Sequence, residues 1–157
     1  MTTPLAQGDV ALLEHGTARQ LLESTELARL AYTASDGTPR VLPMLFTWTG
    51  DEFVMASFPG AAKIAALRAR PDVAITVDRP GPPPEVLLLR GPIEVTEVAG
   101  LVPEYVAAHH RYYGPEAAAQ TIAHLDRPGA RMVRLAVRPR WVGVIDFQTR
   151  FPAAMPS

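Results

Sequence analysis

The chain has 157 residues, of which 48% are hydrophobic and 20% charged, a balance typical of one ordinary globular domain rather than of a disordered or fibrous protein. Fifteen basic and sixteen acidic side chains leave a net charge of -1, so the sequence shows no basic footprint for nucleic acid or anionic lipid. The absence of cysteine excludes disulfide bonds, thiolate metal sites and cysteine nucleophiles. Residues 1–10 carry no secretory signal and no apolar run is long enough to span a membrane, so we expect a cytoplasmic protein.

The first part of the chain predicts one helix followed by strands. Thr17 and Gln20 have the spacing of a capping box and predict a helix over residues 17–24. Strands are then predicted at residues 27–35, 40–49 and 53–57. Short turn sequences separate these three strands, so we expect an antiparallel meander.

The second part of the chain predicts a helix over residues 61–70, which Pro71 ends. The buried face of this helix is predicted to hold Ala61, Ile64, Ala65 and Leu67. Further strands are predicted at residues 73–78, 86–98, 131–137 and 141–147, with two helices between residues 99 and 125 that Gly114-Pro115 separates. Gly91-Pro92 in the middle of the longest strand predicts a bend or bulge, because proline cannot donate to a central ladder.

Strands therefore dominate the predicted core, and no repeat or linker divides the chain. A strongly bent antiparallel sheet of six or seven strands most naturally closes into a small barrel, which also removes exposed edges. We expect a single, mainly β domain with short inserted helices.

No familiar metal or nucleophile motif is present. The histidines are His15, His109, His110 and His124, and the two adjacent ones would point about 100° apart on a helix. Neither a G-x-S-x-G elbow nor a G-x-G-x-x-G or P-loop sequence occurs. The sequence therefore favours neither a metal site, nor nucleophilic hydrolysis, nor the usual nicotinamide fold.

The segment from Ser57 to Lys63 carries the clearest chemical suggestion. A predicted strand ends at a hydroxyl residue, Pro59-Gly60 makes a turn, and a helix opens with the only lysine of the chain in its first turn. Unpaired N–H groups and the positive end of the helix dipole make such a place a ready anion site. A lysine there is otherwise unfavourable, so a bound anion would explain it; the alternative is a solvated surface charge.

Several motifs together resemble the pyridoxamine 5'-phosphate oxidase-like family of flavin-binding split β-barrels. In chain order they are Leu30-Ala31-Tyr32-Thr33, Asp36-Gly37-Thr38-Pro39, Val41-Leu42-Pro43-Met44-Leu45-Phe46, Phe53-Val54-Met55-Ala56-Ser57, Lys63 with Leu67, and Pro71-Asp72-Val73-Ala74. The resemblance implies a six-stranded antiparallel split β-barrel, one flavin-binding domain over residues 1–157 with its core at about 21–147. It also implies a homodimer with two cofactor sites at the subunit interface.

The resemblance also implies roles for particular residues. Lys63 is similar to the family's basic residue on the cofactor phosphate, and Ser57 to its hydroxyl partner. The strand beside the isoalloxazine ring would contain Pro43, Met44 and Leu45, with Ala56 in the adjoining wall. Candidates for orienting a substrate over the ring are Trp48, His110, Tyr112 and Tyr113.

The chain departs from the family pattern at three places. Ala62 stands where many members have an arginine, Ala66 where an asparagine is frequent, and Arg70-Pro71 where Asn-Pro often ends the helix. The arginine-rich strand and C-terminal substrate signature of true pyridoxamine phosphate oxidases are not evident. We therefore do not expect the protein to make pyridoxal phosphate.

The resemblance implies an FMN-dependent oxidoreductase that acts on a small organic substrate and needs no classical catalytic residue, because the cofactor moves the hydride. One alternative is a reductase that uses the deazaflavin coenzyme F-420. A second is a flavin or haem carrier without turnover, and a third is a dimeric interaction protein that has lost its cofactor.

Overall fold

The computed structural model of the chain describes residues 3–155. Within this range, eight strands form: β1 (Ala28–Thr33), β2 (Pro39–Met44), β3 (Thr47–Trp48), β4 (Phe53–Ser57), β5 (Asp72–Arg79), β6 (Glu85–Ala99), β7 (Arg131–Val137) and β8 (Trp141–Ile145). The helices of the same range are α1 (Gly16–Glu23), α2 (Ala62–Ala69), α3 (Pro103–Tyr113) and α4 (Pro115–Leu125), with a 3-10 turn at Val10–Glu14 before α1.

The strands form one antiparallel sheet that returns to its own beginning. Their order is β2-β1-β5-β6-β7-β4-β3, and β8 lies beside β6. The two ends of this order, β2 and β3, follow each other in the chain across Leu45 and Phe46. The chain itself therefore joins the two edges. This architecture confirms the predicted mainly β, antiparallel split barrel.

The long strand β6 holds the two halves of the barrel together. It pairs with β5 as far as Pro92 and with β7 from Ile93 onwards. The predicted irregularity at Gly91-Pro92 therefore coincides with the change of partner. A Cβ on Gly91 would lie 2.8 Å from the carbonyl oxygen of Arg138, so only glycine allows the link between β7 and β8 to pass this close.

The strand predicted over residues 40–49 is divided in the structure into β2 and β3, which gives eight strands rather than the seven predicted segments. The chain turns inward at Phe46, whose side chain is fully buried. Its ring stacks on Phe53 at 4.4 Å between centroids and meets Tyr112 edge-on at 6.3 Å. The free energy gained by burying this aromatic side chain outweighs that of continuing the strand hydrogen bonds, because aromatic residues contribute most to core energetics.

The predicted meander forms across this break: β1 pairs antiparallel with β2, and β3, which lies within the strand predicted over residues 40–49, pairs antiparallel with β4. Two other local predictions are wrong. The capping box is absent: α1 begins at Gly16, and Nδ1 of His15 accepts a hydrogen bond from the backbone N–H of Thr17 at 3.3 Å. On α2, Ile64 and Leu67 are buried as predicted, but Ala65 is exposed and Ala66 is buried instead.

Asp146 organises the turn after β8. The carboxylate is buried and accepts backbone N–H bonds from Gln148, Thr149 and Arg150 at 2.8–2.9 Å, together with the Thr149 hydroxyl at 2.8 Å. Burial by itself would raise the pKa of this carboxyl, but the four hydrogen bonds outweigh it and hold the pKa below its ordinary value. The ionised form is therefore the one that stabilises the fold.

We expect Asp146→Asn to lower the free energy of unfolding at pH 7 by about 1–3 kcal/mol, because it removes hydrogen bonds to a charged, buried acceptor. Since the folded-state pKa is depressed, the wild-type advantage is present above the ordinary pKa of about 3.9 and shrinks as the pH falls through it. Urea unfolding at pH 7 and pH 3 measures this. The exposed Asp126→Asn variant is the control. If the difference in unfolding free energy between wild type and Asp146→Asn were the same at pH 3 as at pH 7, the ionised Asp146 carboxylate would not be the stabilising group.

Candidate functional site

The loop between β4 and α2 forms the centre of the predicted site. β4 ends at Ser57, Gly60 has a φ of +86°, and α2 begins at Ala62. The residue before the helix is Ala61, which has no side chain that could cap the first N–H groups. The first turn contains no acidic residue either. The positive end of α2 is thus left without compensation from its own sequence.

Lys63 lies in this first turn and is partly buried. Burial lowers the pKa of its ammonium group. Within residues 3–155, no carboxylate forms an ion pair with it. A partly desolvated cation at the positive end of a helix is a place where an anionic ligand would be stabilising.

Ser57 and Ala56 lie on opposite faces of β4. Ser57 is 6% exposed and, by the alternation of side chains along a strand, shares the inward face with Phe53 and Met55. Ala56 faces the other way and pairs with Arg134 of β7. The two side chains therefore cannot line one wall together, and only Ser57 continues directly into the loop that leads to Lys63.

The predicted ring strand is divided between β2 and the break that follows it. Pro43 is exposed, Met44 packs against the core, and Leu45 lies in the break. Two residues after Leu45, Thr47 pairs with Val54 of β4. The break therefore connects the end of β2 directly to the strand that pairs with β4.

Of the four predicted substrate residues, Tyr113 is exposed at the end of α3, and the other three are held in different surroundings. Trp48 lies on β3 opposite Phe53 and lines a cavity of about 300 Å³ with residues of α1 and the preceding turn. The hydroxyl of Tyr112 donates to the carbonyl oxygen of Glu26 at 2.6 Å, and burial raises its pKa. His110 is exposed on α3. The cavity lined by Trp48 contains neither Ser57 nor Lys63.

A row of aromatic side chains on α3 was not predicted from the sequence. His109 lies between Tyr105 and Tyr113, at 4.4 and 5.4 Å between ring centroids, and Phe58 meets Tyr105 edge-on at 6.4 Å. Because Phe58 follows Ser57 directly, this row begins at the loop of the candidate site. The spacing of four residues along a helix was the available signal.

His109 itself is buried, with 8% of its surface exposed. Its pKa is lowered, first by burial and then by the neighbouring charge of His110. Its Nδ1 atom has no hydrogen-bond partner in the part of the chain that the structure describes. The neutral imidazole is therefore the favoured form at this position.

The other charges near α3 are already paired. Arg134 donates to Glu104 at 2.7 Å and to Glu52 at 3.2 Å, which ties α3 to the sheet. The hydrogen bond from Arg134 is the main reason that the pKa of Glu104 is lowered. Arg111 donates to the carbonyl oxygens of Ser24 and Phe46. These two arginines are thus engaged in fixing α3.

Across the described range, residues 3–155, no group of three or more histidine or acidic side chains is arranged to hold a metal ion. No helix in that range is long and apolar enough to cross a membrane.

Comparison with known proteins identifies the family. The family model described as pyridoxamine 5'-phosphate oxidase matches residues 14–82. A solved F420 reductase is 30% identical, with 78% of this chain and 93% of that chain covered and a TM-score of 0.60. The chain therefore belongs to the pyridoxamine 5'-phosphate oxidase-like family, as its motifs predicted.

Two further solved structures share the fold at lower identity. A conserved hypothetical protein from Mycobacterium tuberculosis is 18% identical, with 99% of this chain and 95% of that chain covered and a TM-score of 0.66. A haem-binding protein from Mycobacterium smegmatis is 19% identical, with 85% and 54% covered and a TM-score of 0.60. Comparison with curated protein sequences found no match.

Proposed function

We propose that the protein is an oxidoreductase that binds a phosphate-bearing flavin or deazaflavin at the β4–α2 loop. The observation that carries the proposal is Lys63, a partly buried cation without a carboxylate partner in the described chain, at an uncapped helix N-terminus. A phosphate would compensate both the desolvated ammonium and the helix dipole. Ser57, at the end of β4, would add a hydroxyl donor.

A bound flavin or deazaflavin would supply hydride transfer to or from a small organic molecule. The chain would hold the phosphate with Lys63 and Ser57, and the end of β2, with Pro43, Met44 and Leu45, would lie along the ring system. Ala56 would contribute through its backbone, because its side chain faces away from Ser57. The chain's task is thus to position the cofactor and exclude water.

The residues around the substrate remain predictions. Trp48 and His110 would have to lie near the ring in the assembled protein. Tyr112 could orient a substrate only by giving up its hydrogen bond to Glu26. His109, which was not among the residues predicted from the sequence, is a further candidate, because its aromatic row reaches Phe58 in the β4–α2 loop.

Two cofactors fit a site built around one lysine, FMN and coenzyme F-420. The 30% identity to an F420 reductase supports the deazaflavin. The replacement of the family's frequent arginine by Ala62 also supports a cofactor other than tightly held FMN, because one cation fewer faces the phosphate.

The test is a parallel titration of the protein with FMN and with coenzyme F-420, in which quenching of the tryptophan fluorescence reports binding. We expect saturable binding of one of them in the micromolar range, and then oxidation of the reduced cofactor by small conjugated or nitrogen-containing acceptors, faster than that of the free cofactor. Binding without turnover would indicate a flavin carrier instead. Failure of both to bind would refute the proposal and leave a haem carrier or a cofactor-free interaction protein.

We also propose that the protein is a homodimer with the cofactor between its subunits. Strand β2 lies at one end of the strand order and shows two apolar side chains to solvent, Val41, which is 67% exposed, and Pro43. An exposed apolar strand of this kind favours association, because it offers surface that water solvates poorly. A partner covering Pro43 would also enclose the ring strand.

Light scattering should therefore give a mass near twice 17.0 kDa at micromolar concentration. Val41→Asp should shift the protein towards the monomer, because a charge would be buried in the interface. Val10→Asp, at another exposed valine, is the matched control and should leave the mass unchanged. A wild-type monomer, or equal effects of the two variants, would contradict the dimer at β2.

A further inference from the structure

A cavity of about 510 Å³ on the outer face of the sheet is lined by none of the predicted cofactor residues. It is formed where the end of β1 and the start of β5 meet the middle of β6 and the start of β8. Its polar lining includes Tyr32, Asp72, Arg90, Arg140 and Trp141. Ala31, Ala74 and Pro92 supply apolar surface.

Trp141 gives this cavity a fixed aromatic wall. A Cβ on Gly143 would lie 2.8 Å from the indole ring, and a Cβ on Gly8 would lie 2.7 Å from its Nε1 atom. The indole therefore occupies space that only two glycines leave open. The guanidinium of Arg90, the register partner of Trp141, lies 3.8 Å from the ring centroid in a cation–π contact.

The two arginines of the cavity are neighbours through their main chains. The backbone N–H of Arg140 donates to the carbonyl oxygen of Arg90 at 2.8 Å. Neither guanidinium forms an ion pair with an acidic side chain between residues 3 and 155. Asp72 also lines the cavity, so the two arginines and this aspartate together give the cavity lining a formal charge of one positive unit.

We propose that this cavity binds a small planar monoanion, an aromatic or conjugated carboxylate. The donor fork of a guanidinium matches the two oxygens of a carboxylate, and a second guanidinium adds a further charge-assisted bond. A flat apolar body would rest against Ala31, Ala74 and Pro92. Asp72 disfavours a dianion such as a phosphate monoester, because it adds like-charge repulsion.

The experiment uses benzoate as the probe and benzamide as its neutral counterpart. The chain has two tryptophans, so a ¹⁵N-labelled sample gives two indole N–H signals, one from Trp141 and one from Trp48. Benzoate should shift the Trp141 signal saturably and leave the Trp48 signal in place, and benzamide should shift neither. The sample contains no flavin, so the outcome is independent of the proposed function.

Three variants identify the groups that hold the probe. Arg140→Gln and Arg90→Gln should each weaken benzoate binding at least tenfold, as expected for a lost charge-assisted hydrogen bond. Asp72→Asn should tighten it, because a like charge is removed. Flavin or F-420 affinity should be unchanged in Arg140→Gln, which separates this site from the cofactor site.

Any of three results would overturn the proposal. Absence of a saturable shift would mean that the cavity is closed by a partner subunit or does not select anions. An equal response to benzamide would mean that the arginines do not recognise charge. Wild-type affinity in both arginine variants would place the probe elsewhere.

Discussion

Replacing Lys63 by glutamine is expected to weaken binding of FMN or coenzyme F-420 by roughly ten- to a hundredfold, the effect of losing one charge-assisted hydrogen bond to a phosphate. Glutamine keeps most of the side chain's length and its hydrogen-bonding capacity, so the change isolates the charge. The loss should be large because Lys63 is the only lysine and the adjacent Ala62 cannot substitute for it. An equilibrium titration monitored by quenching of the tryptophan fluorescence measures this loss of affinity.

Arg68→Gln is the matched control for Lys63→Gln. Arg68 lies on the same helix and is exposed in its last turn, so the variant removes an equal charge at the wrong end for a phosphate. Riboflavin, which lacks the phosphate, should bind wild type and Lys63→Gln with similar affinity. Equal losses in the two variants would show that Lys63 acts only through the net charge of the protein.

Replacing Phe46 by alanine is expected to lower the free energy of unfolding by about 3–5 kcal/mol, the usual cost of truncating a fully buried phenylalanine. The variant would remove the stack on Phe53, the edge contact with Tyr112 and the ring beneath the Arg111 guanidinium. These contacts hold the break between β2 and β3, where the barrel closes. Urea unfolding followed by circular dichroism measures the change.

Phe58→Ala is the control for this truncation. Phe58 is 46% exposed and makes an edge contact only with Tyr105, so its loss should cost about 1 kcal/mol or less. If Phe46→Ala were no more destabilising than Phe58→Ala, the break at Phe46 would not be a closure point of the barrel.

The sequence predicted those elements whose limits are set by local chemistry. β4 and β7 have the predicted bounds, and α2 ends before Pro71, because turn residues or a proline stand at their boundaries. The division of the strand at residues 40–49 had no local signal. An unbroken apolar run is compatible with one strand, and only the distant Phe53 and Tyr112 make the inward turn at Phe46 favourable.

The contiguous part of the candidate site could be predicted from the sequence, and the part that depends on long-range contacts could not. The Ser57–Lys63 segment is contiguous, so its strand, turn and helix start could be deduced from sequence. The burial of His109 could not, because it depends on how α3 lies against the sheet. The cavity at Arg90 and Trp141 could not be predicted from the sequence either, because these two distant residues become neighbours only through the pairing of β6 with β8.

The most direct test of the phosphate site uses the only lysine of the chain as a reporter. In protein labelled with ¹⁵N at lysine side chains, Lys63 contributes a single Nζ signal, and burial should place its pKa below the ordinary value of about 10.4. We expect the cofactor that binds, FMN or coenzyme F-420, to shift this signal saturably and to raise the pKa of Lys63, because a phosphate stabilises the charged form. For FMN, riboflavin should leave the signal in place. Tight cofactor binding with an unchanged Lys63 signal would contradict the account.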